Sequence, residues 1–451
     1  MTHASHLGGL IAQISSLQPI TNVGRVTSVE GGMIKIVGLS DCACIGDQLS
    51  LCRKSGGSLT GEVVQIFGEQ LVMLADESQD GIALGDRVTL KPPIQIAPTD
   101  SWIGRIVDPS GQPLDGKPLL RGAISKSLKA SPPPPADRRA MGGRLNTGLA
   151  IMNTMLPIVK GQRVGLFAGS GVGKSSLLGH LAQNMESDVV VIAMIGERGR
   201  ELRHFVEEVL GDEGLSRAVI VAATSDRSPL LRRRCAWTAM AVAEHFRDQG
   251  RSVLFLADSI TRFAEAHREV AVSAGEAPVL RGFPPSTAHQ IMSLCERAGP
   301  GVDDQGDITA IFSVLVAGSD MDEPIADILR GVLDGHVVLD RKIAERGRYP
   351  AIDILRSVSR SLPAAASEIE NAHITQARRI MGVYDQNAMM IHAGLYSQGS
   401  DPEVDKAIQV WPALDDYLAK TEPQDVAHSF TQLELILRRA KVTAAQTRST
   451  G

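Results

Sequence analysis

The sequence contains no run of about 18 apolar residues and no N-terminal basic stretch followed by an apolar one. We therefore expect neither a membrane-spanning helix nor a secretory signal, and we predict a cytoplasmic protein whose membrane contact is peripheral. A basic excess is also missing, because 46 Lys and Arg stand against 51 Asp and Glu, giving a formal charge of −5. This balance gives no electrostatic support for nucleic acid as a partner, and none is expected.

Cysteine is scarce as well. The chain has five cysteines, an odd number, at Cys42, Cys44, Cys52, Cys235 and Cys295. None of them forms a Cys-x-x-Cys pair with a histidine partner at zinc spacing, so a zinc site is not expected. We predict reduced thiols that are mostly buried. Without a disulfide framework, the pattern indicates a reducing compartment.

The hydrophobic pattern divides most of the chain into three predicted domains. Residues 19–93 contain short alternating runs separated by glycine turns such as Gly31-Gly32, which predicts a small β-barrel. Residues 94–366 alternate apolar strand-like runs with helix-length segments, which predicts an α/β domain with a mainly parallel sheet. Residues 367–451 lose the strand pattern and contain a typical helix start at Asp401-Pro402, which predicts a helical domain.

A separate amphipathic segment precedes the barrel, at residues 1–18. Its apolar residues recur at helical spacing: Leu7, Leu10, Ile11, Ile14 and Leu17. Two interpretations are equally supported, a helix that caps the barrel or a docking helix for a regulatory coiled-coil protein.

The arginine run Arg232–Arg234 stands at the start of a predicted helix. We predict that it forms a solvated face, with an interface as the alternative. It carries no prediction of nucleic-acid binding.

A glycine-rich loop, "FAGSGVGKSS", follows an apolar strand and precedes a helix, which is the context that a phosphate-binding loop requires. Backbone N–H groups at the helix N-terminus can bind phosphates there. Lys174 can neutralise the β- and γ-phosphates, and the Ser175 hydroxyl can bind Mg²⁺. The first glycine of the motif is replaced by Ala168. The predicted nucleotide-binding residues are Gly169, Ser170, Gly171, Val172, Gly173, Lys174, Ser175 and Ser176.

Two further apolar strands end in carboxylates. "VLFLAD" ends at Asp258, and a strand end near a phosphate loop is where a magnesium-site acid stands. "VIAMIGERGRE" runs into Glu197, which can polarise a water for in-line attack on a phosphate. Arg198 and Glu201 can act on the phosphate and on metal-bound water. Taken alone, Asp258 could be a turn residue and GERGRE a solvated charge cluster.

An ordered set of segments carries a resemblance to a known family: "AGSGVGKSS", "GERGRE", "VLFLADSITRFAEAHRE", "RGFPPS", "RYPAIDILRSVSR" and "GSDPEVDKAI". Over about residues 22–439 the chain resembles the type III secretion ATPases, the flagellar export ATPases in particular. It is more distantly similar to the catalytic β subunit of the rotary ATP synthases. The resemblance implies an N-terminal β-barrel, a RecA-like P-loop ATPase core and a C-terminal helical domain.

The resemblance also implies site residues, substrate and assembly. ATP with Mg²⁺ would bind at the interfaces of a homohexameric ring, with Lys174, Glu197, Arg198 and Arg360 catalytic and Ser175, Asp258 and Glu201 at the metal. Tyr349 would pack on adenine, and Arg360 would enter the neighbouring subunit's site. Without the resemblance, Arg360 is a helix-surface salt-bridge residue and Tyr349 an ordinary half-buried tyrosine.

The same resemblance implies partners and a location. The partners are a regulator or stator-like coiled coil at the N-terminus, a central stalk-like protein, membrane proteins of the export gate, and complexes of export substrates with chaperones. The protein would lie in the cytoplasm, peripheral to the inner membrane at the base of the export apparatus.

Other functions remain to be weighed against flagellar export. A non-catalytic ring subunit lacks the glutamate that stands here at Glu197. An RNA translocase is disfavoured by the charge balance and by the lack of an aromatic-rich platform in the barrel segment. The loop sequence, with Ala168 at its first position, fits a rotary ATP synthase subunit less well. Injectisome secretion is the closest alternative, but the segment "GSDPEVDKAI" favours a flagellar export ATPase.

Overall fold

The computed structural model of the chain describes residues 21–447 except 55, 317–320 and 322. The predicted amphipathic segment, residues 1–18, lies outside the described residues. No helix within the described ranges is long and apolar enough to cross a membrane.

The first domain is a closed barrel of six antiparallel strands, in the order β1-β2-β5-β4-β3-β6. Its interior is apolar because alternate residues of each strand point inward, among them Ile34 and Ile36 of one strand and Leu49 and Leu51 of another, all fully buried. Each such side chain contributes roughly 1.5–3 kcal/mol to folding. The strands are β1 (Val23–Glu30), β2 (Met33–Val37), β3 (Gln48–Cys52), β4 (Ser58–Phe67), β5 (Gln70–Ala75) and β6 (Arg87–Leu90).

The second domain is built on a mixed sheet with helices on both faces. Its elements are, in chain order, β7 (Gln95–Ile96), a 3₁₀ turn (Asp100–Trp102), β8 (Arg105–Val107), β9 (Lys126–Ser127), α1 (Ala150–Thr154), β10 (Arg163–Ala168), α2 (Lys174–Asn184), β11 (Val189–Glu197), α3 (Gly199–His204), a π-helical turn (Phe205–Leu210), α4 (Gly211–Leu215), β12 (Ala218–Thr224), α5 (Pro229–Arg247), β13 (Val253–Asp258), α6 (Ile260–Ser273), a 3₁₀ turn (Leu280–Gly282), α7 (Ser286–Glu296), β14 (Gly299–Pro300), β15 (Asp307–Leu315), α8 (Pro324–Val332), β16 (Gly335–Leu339), α9 (Arg341–Glu345) and β17 (Ile352–Ser359).

The strand order in this sheet is β17-β16-β10-β15-β13-β11-β12-β8, with β14 paired to β15 outside this path. The pairs are parallel except for those of β14 and β17. Strand β11 is buried along almost its whole length, with Val190 and Ile192 in one hydrophobic cluster and Val191 and Ala193 in the other. Because β10, β11 and β13 are parallel, their carboxyl ends meet at one edge of the sheet.

The third domain contains α10 (Glu368–His392), α11 (Pro402–Leu418) and α12 (Val426–Thr447). Helix α10 begins with a capping box, in which the Ser367 hydroxyl accepts from Glu370 N and the Glu370 carboxylate accepts from Ser367 N. Helix α11 begins as predicted, with the Asp401 side chain accepting from Glu403 N and proline in the first turn. A β-barrel, an α/β core and a helical C-terminal region are therefore confirmed.

Two arginines of the run Arg232–Arg234 are buried where α5 meets the barrel, so the prediction of a solvated face is wrong for them. Arg233 Nη2 donates to Glu62 Oε1 at 2.9 Å, and Arg234 lies 3.6 Å from Asp76 Oδ1. Both guanidinium groups are less than a tenth exposed. We call Glu62, Asp76, Arg233 and Arg234 the barrel joint. Sequence spacing cannot reveal the barrel that covers this turn of α5, so the two arginines contact another domain of the same chain and not solvent.

The cysteines only partly follow the prediction. All five are free thiols, and Cys235 and Cys295 are buried, which raises the pKa of both thiols. Cys42, Cys44 and Cys52 are exposed on the barrel, so the prediction that the thiols are mostly buried is wrong. The first two lie in the loop after β2, and Cys52 stands at the end of β3, where a strand residue can face water.

Candidate functional site

The glycine-rich loop connects β10, a central strand, to α2. Gly171 and Gly173 have φ angles of 74° and 85°, in the left-handed region that glycine adopts without strain. The Val172 side chain is buried in the hydrophobic core, so this residue can offer only backbone groups to a phosphate. Ala168 is fully buried in the same core, so the methyl group that replaces the motif glycine packs inward. Ser170, Ser175 and Ser176 are exposed.

Tyr349 lies directly against this loop. A Cβ atom on Gly173 would be 3.2 Å from Tyr349 Cδ1 and Cε1, so the ring packs on the loop at that glycine. The tyrosine is 50% exposed, which leaves part of its ring available to a ligand. Sequence reasoning from the residues alone had no means to bring Tyr349 to the loop, because 175 positions separate it from Lys174.

Three charged side chains converge beside the loop. Lys174 Nζ, at the start of α2, makes a short ion pair with Asp258 Oδ1 and lies 4.0 Å from Glu197 Oε1. Asp258 ends β13 and Glu197 ends β11, two strands that pair with each other. The side chains of Lys174, Glu197 and Asp258 are 12%, 16% and 4% exposed, so these charges interact in a partly desolvated site.

The pKa of Glu197 is raised to about 7, first by burial and then by the negative charge of Asp258, whereas Lys174 opposes the shift. A carboxylate in apolar surroundings is disfavoured relative to its protonated form, and a second carboxylate nearby adds to this. A pKa near neutrality suits a group that must accept a proton at physiological pH.

Arg198 and Glu201 lie at the start of α3, and they form an exposed ion pair with each other, Nη1 to Oε1 at 3.3 Å. The structure therefore brings them next to Glu197 in the chain, yet none of the described hydrogen bonds joins them to Lys174 or Asp258. Their roles stay a prediction; the two side chains are 67% and 43% exposed, so a ligand can reach them once their ion pair opens.

Arg360 lies away from the loop of its own chain. Ser359 pairs with Gly335 at the start of β16, whereas Ala168, just before the loop, pairs with Leu339 at the end of the same strand. The intervening four residues span roughly 13 Å at about 3.3 Å per residue. Arg360 Nη2 donates to Arg330 O at 3.1 Å. The five site residues Lys174, Glu197, Asp258, Ser175 and Tyr349 thus meet at one edge, and Arg360 does not join them within one chain.

Arg262 is a residue that the sequence reasoning missed. It stands in the first turn of α6, and a Cβ atom on Gly196 would lie 3.4 Å from its Cβ. The hydrogen bond to Glu265 raises the pKa of Arg262, and the charges of Glu197 and Glu201 act in the same direction. An arginine four positions after Asp258, in the first turn of the helix that follows the strand, is the signal that could have identified it.

A magnesium site made only of protein ligands is absent from the described ranges, since no group of three or more His, Cys, Asp or Glu side chains comes together there. Mg²⁺ in nucleotide sites uses one or two carboxylates, with phosphates and waters completing the set. Asp258 and the exposed Ser175 hydroxyl, both beside the loop, fit that mode of binding.

Two family models match this chain, one over the α/β core and one over the C-terminal helices. Residues 148–359 match the nucleotide-binding domain of the ATP synthase alpha/beta family. Residues 366–435 match the C-terminal domain of the type III secretion ATPase EscN. The first match contains the loop, Glu197 and Asp258, and the second begins beside the helical domain.

Relatives match along nearly the whole chain. The flagellum-specific ATP synthase of Caulobacter vibrioides is 43% identical over 438 residues, which cover 95% of this chain and 99% of that protein. The one of Salmonella typhimurium is 40% identical and covers 94% and 96%. Assembled EscN from enteropathogenic E. coli superposes with a TM-score of 0.83 at 34% identity, covering 92% of this chain and all of EscN. The chain therefore belongs to the family of type III export ATPases, which includes the relatives named flagellum-specific ATP synthase. It is an ATPase.

Proposed function

We propose that this protein hydrolyses ATP at the interfaces of a homohexameric ring and thereby energises type III protein export during flagellum assembly. The observation that carries the proposal is the convergence of Lys174, Glu197 and Asp258 at the mouth of the phosphate loop. Phosphoryl transfer needs mainly positioning and charge stabilisation, and this arrangement offers both.

The loop and Lys174 bind the phosphates. Backbone N–H groups from Gly169 to Lys174 would donate to the phosphate oxygens, and the positive end of α2 would add to their attraction. As the phosphates bind, they compete with Asp258 for Lys174 Nζ. The exchange of one anionic partner for another keeps the buried ammonium paired throughout.

Glu197 is the proposed general base. Its carboxylate orients the attacking water and accepts a proton from it, and the raised pKa makes the carboxylate a stronger base than an exposed glutamate. Ser175 and Asp258 would hold Mg²⁺, and Glu201 would reach it through a water. Bound there, Mg²⁺ would neutralise charge that develops on the phosphate oxygens. Arg198, exposed beside Glu197, would sense the γ-phosphate.

Arg360 is proposed to act on the neighbouring subunit. Its distance from the loop of its own chain, along the length of β16, is the expected geometry for an arginine that serves another site. In a head-to-tail ring each subunit can present this edge to the next subunit's loop. An arginine supplied in this way contributes roughly 10³ to 10⁵ in rate. Tyr349, half-exposed against Gly173, would pack on adenine.

The proposed partners follow the same logic. A solved structure of EscN is described as a complex with its central stalk EscO, which favours a stalk-like partner here. The end of α10 and the following turn carry exposed apolar side chains, Met389 at 85% and Leu395 at 76%, that suit contact with a coiled coil. A regulator at residues 1–18, the export gate, substrate–chaperone complexes and a location at the inner membrane belong to the same proposal.

The flagellar role is preferred to injectisome secretion. The relatives at 39% to 43% identity carry the name flagellum-specific ATP synthase, whereas EscN of the injectisome is 34% identical. Restored motility when the gene is supplied to a flagellar export ATPase mutant is the expected result. Restored injectisome secretion without motility would favour the alternative.

Complementation between inactive variants tests the interface directly. Glu197→Gln and Arg360→Ala should each bind ATP with little turnover, measured by a fluorescent ATP analogue and by phosphate release. Mixed together, they should regain activity, because an intact Glu197 of one subunit then meets an intact Arg360 of the next. Arg438→Ala, which removes an exposed arginine of α12, is the control and should keep full turnover. Arg360→Ala subunits that hydrolyse ATP at the wild-type rate, or a mixture that stays inactive, would refute the interface.

A further inference from the structure

A buried serine contacts the proposed magnesium acid. Ser313 Oγ donates to Asp258 Oδ1 at 2.7 Å, and Ser313 is fully buried. Ser313 belongs to β15, which pairs with β10 on one side, at Leu166, and with β13 on the other. Strand β15 therefore lies between the strand that leads into the phosphate loop and the strand that ends in the acid, and the hydroxyl links β15 to that acid.

Two donors share one oxygen of Asp258. Lys174 Nζ and Ser313 Oγ both reach Oδ1, but only the lysine is on a long, flexible side chain. Lys174 must turn to the phosphates when ATP binds. The Ser313 hydroxyl sits on a short side chain in the middle of the sheet, so it stays in place while the lysine moves. Without Ser313, Asp258 Oδ1 would have no fixed hydrogen-bond donor once Lys174 turns to the phosphates. That is the step in which the carboxylate must be oriented for the metal.

We propose that Ser313 is a positioning residue of the ATPase site, which holds Asp258 in its metal-binding orientation when Lys174 transfers to the phosphates. The inference rests on the proposed function, because it takes Asp258 as the metal acid. A hydrogen bond to a charged group is stronger than one between neutral groups, and a buried carboxylate oxygen without a donor is unfavourable. The serine thus acts through Asp258 and does not touch the reacting atoms.

A purely structural role for the hydroxyl makes a different prediction. Thr309 provides the comparison, because it lies on the same strand, is 2% exposed and accepts a hydrogen bond from Gly161 N at 3.0 Å. Thr309 is near the start of β15 and Ser313 near its end. Loss of a buried hydroxyl at either position should lower thermal stability to a similar degree. Only loss of the one at Ser313 should change the dependence on Mg²⁺.

The experiment measures ATP hydrolysis by the full chain as a function of Mg²⁺ concentration. In Ser313→Ala, kcat/KM at limiting Mg²⁺ should fall about tenfold, and half-maximal activity should require more Mg²⁺. Saturating Mg²⁺ should restore part of the rate. Ser313→Thr, which keeps the hydroxyl, should recover the wild-type Mg²⁺ requirement, and Thr309→Val should leave that requirement unchanged. Thermal melting of each variant shows whether it is folded.

The outcomes separate this inference from the proposed function. If Ser313→Ala keeps the wild-type Mg²⁺ dependence while Asp258→Asn is inactive, the positioning role is refuted and the metal acid stands. If Asp258→Asn itself keeps the wild-type dependence, the metal assignment fails, and the Ser313 inference with it.

Discussion

Replacing Glu197 with glutamine should stabilise the protein while it removes activity. The folded-state pKa of Glu197 is raised from 4.5 to about 7, chiefly by burial and then by Asp258. Protonated Glu197 therefore favours the folded state, and this contribution is fully present below about pH 4.5 and is lost as the pH rises through about 7. Glutamine remains neutral at every pH, so the variant does not lose this stability as the pH rises.

The magnitude follows from the shift. One pKa unit corresponds to about 1.4 kcal/mol, so ionised Glu197 costs the folded state roughly 3 kcal/mol at pH 8. At pH 5 the carboxyl group is still largely protonated in the folded protein, and the cost falls below about 1 kcal/mol. For a domain of this size, 1 kcal/mol moves the melting temperature by about 2–4 °C. Glu197→Gln should therefore melt roughly 6–12 °C above wild type at pH 8.

Differential scanning calorimetry of both proteins at pH 5, 6, 7 and 8 is the assay, with the transition of the ATPase domain followed separately because a three-domain chain need not unfold in one step. Glu434→Gln, which removes a partly exposed carboxylate from α12, serves as the matched control and should match wild type at each pH. A gain for Glu197→Gln that is equal at pH 5 and pH 8, or a loss at pH 8, would refute the reasoning from burial.

Three other changes have expected outcomes. The kcat/KM for ATP should fall about tenfold per pH unit below about pH 7, since the Glu197 base must be ionised, and a flat profile down to pH 5.5 would contradict the assignment. Tyr349→Ala should raise KM for ATP roughly tenfold with a smaller effect on kcat, because stacking on adenine is lost, while Tyr349→Phe should keep a KM near that of wild type. A Tyr349→Ala variant with the wild-type KM would argue against adenine contact. Glu62→Gln should lower the free energy of unfolding in urea by about 3–5 kcal/mol, because it leaves the buried Arg233 without its carboxylate partner. Glu30→Gln, on the barrel surface, should cause no measurable loss. Similar losses for the two variants would contradict burial of the barrel joint.

Local patterns were sufficient for the elements of the fold. The alternation in the barrel strands and the cap at Asp401 each reside in a few neighbouring positions, and so does the helix start that Asp401-Pro402 predicts. The burial of Arg233 and Arg234 was beyond reach because it depends on strands that lie some 170 positions earlier in the chain. Exposure of three cysteines was missed for a related reason, since only the closed barrel decides which positions face water.

The candidate site divides in the same way. Lys174 and Asp258 each follow from a short motif, and the shared edge of parallel strands brings them together. Arg262 and Ser313 were missed, because their relevance comes from contacts with the strand ends and not from a motif of their own. The roles of Arg360 and Tyr349 rested on resemblance alone, since neither has a local signal that separates it from an ordinary surface residue.

The barrel joint has a consequence for how the protein responds to ionic strength. Screening at physiological salt acts over about 8 Å in solvent and weakens exposed pairs such as Arg341 with Glu345. The side chains of Glu62, Asp76, Arg233 and Arg234 are all less than a tenth exposed, so mobile counterions cannot enter between them. The barrel should therefore remain attached to the ATPase core in concentrated salt, even where salt dissociates contacts between subunits.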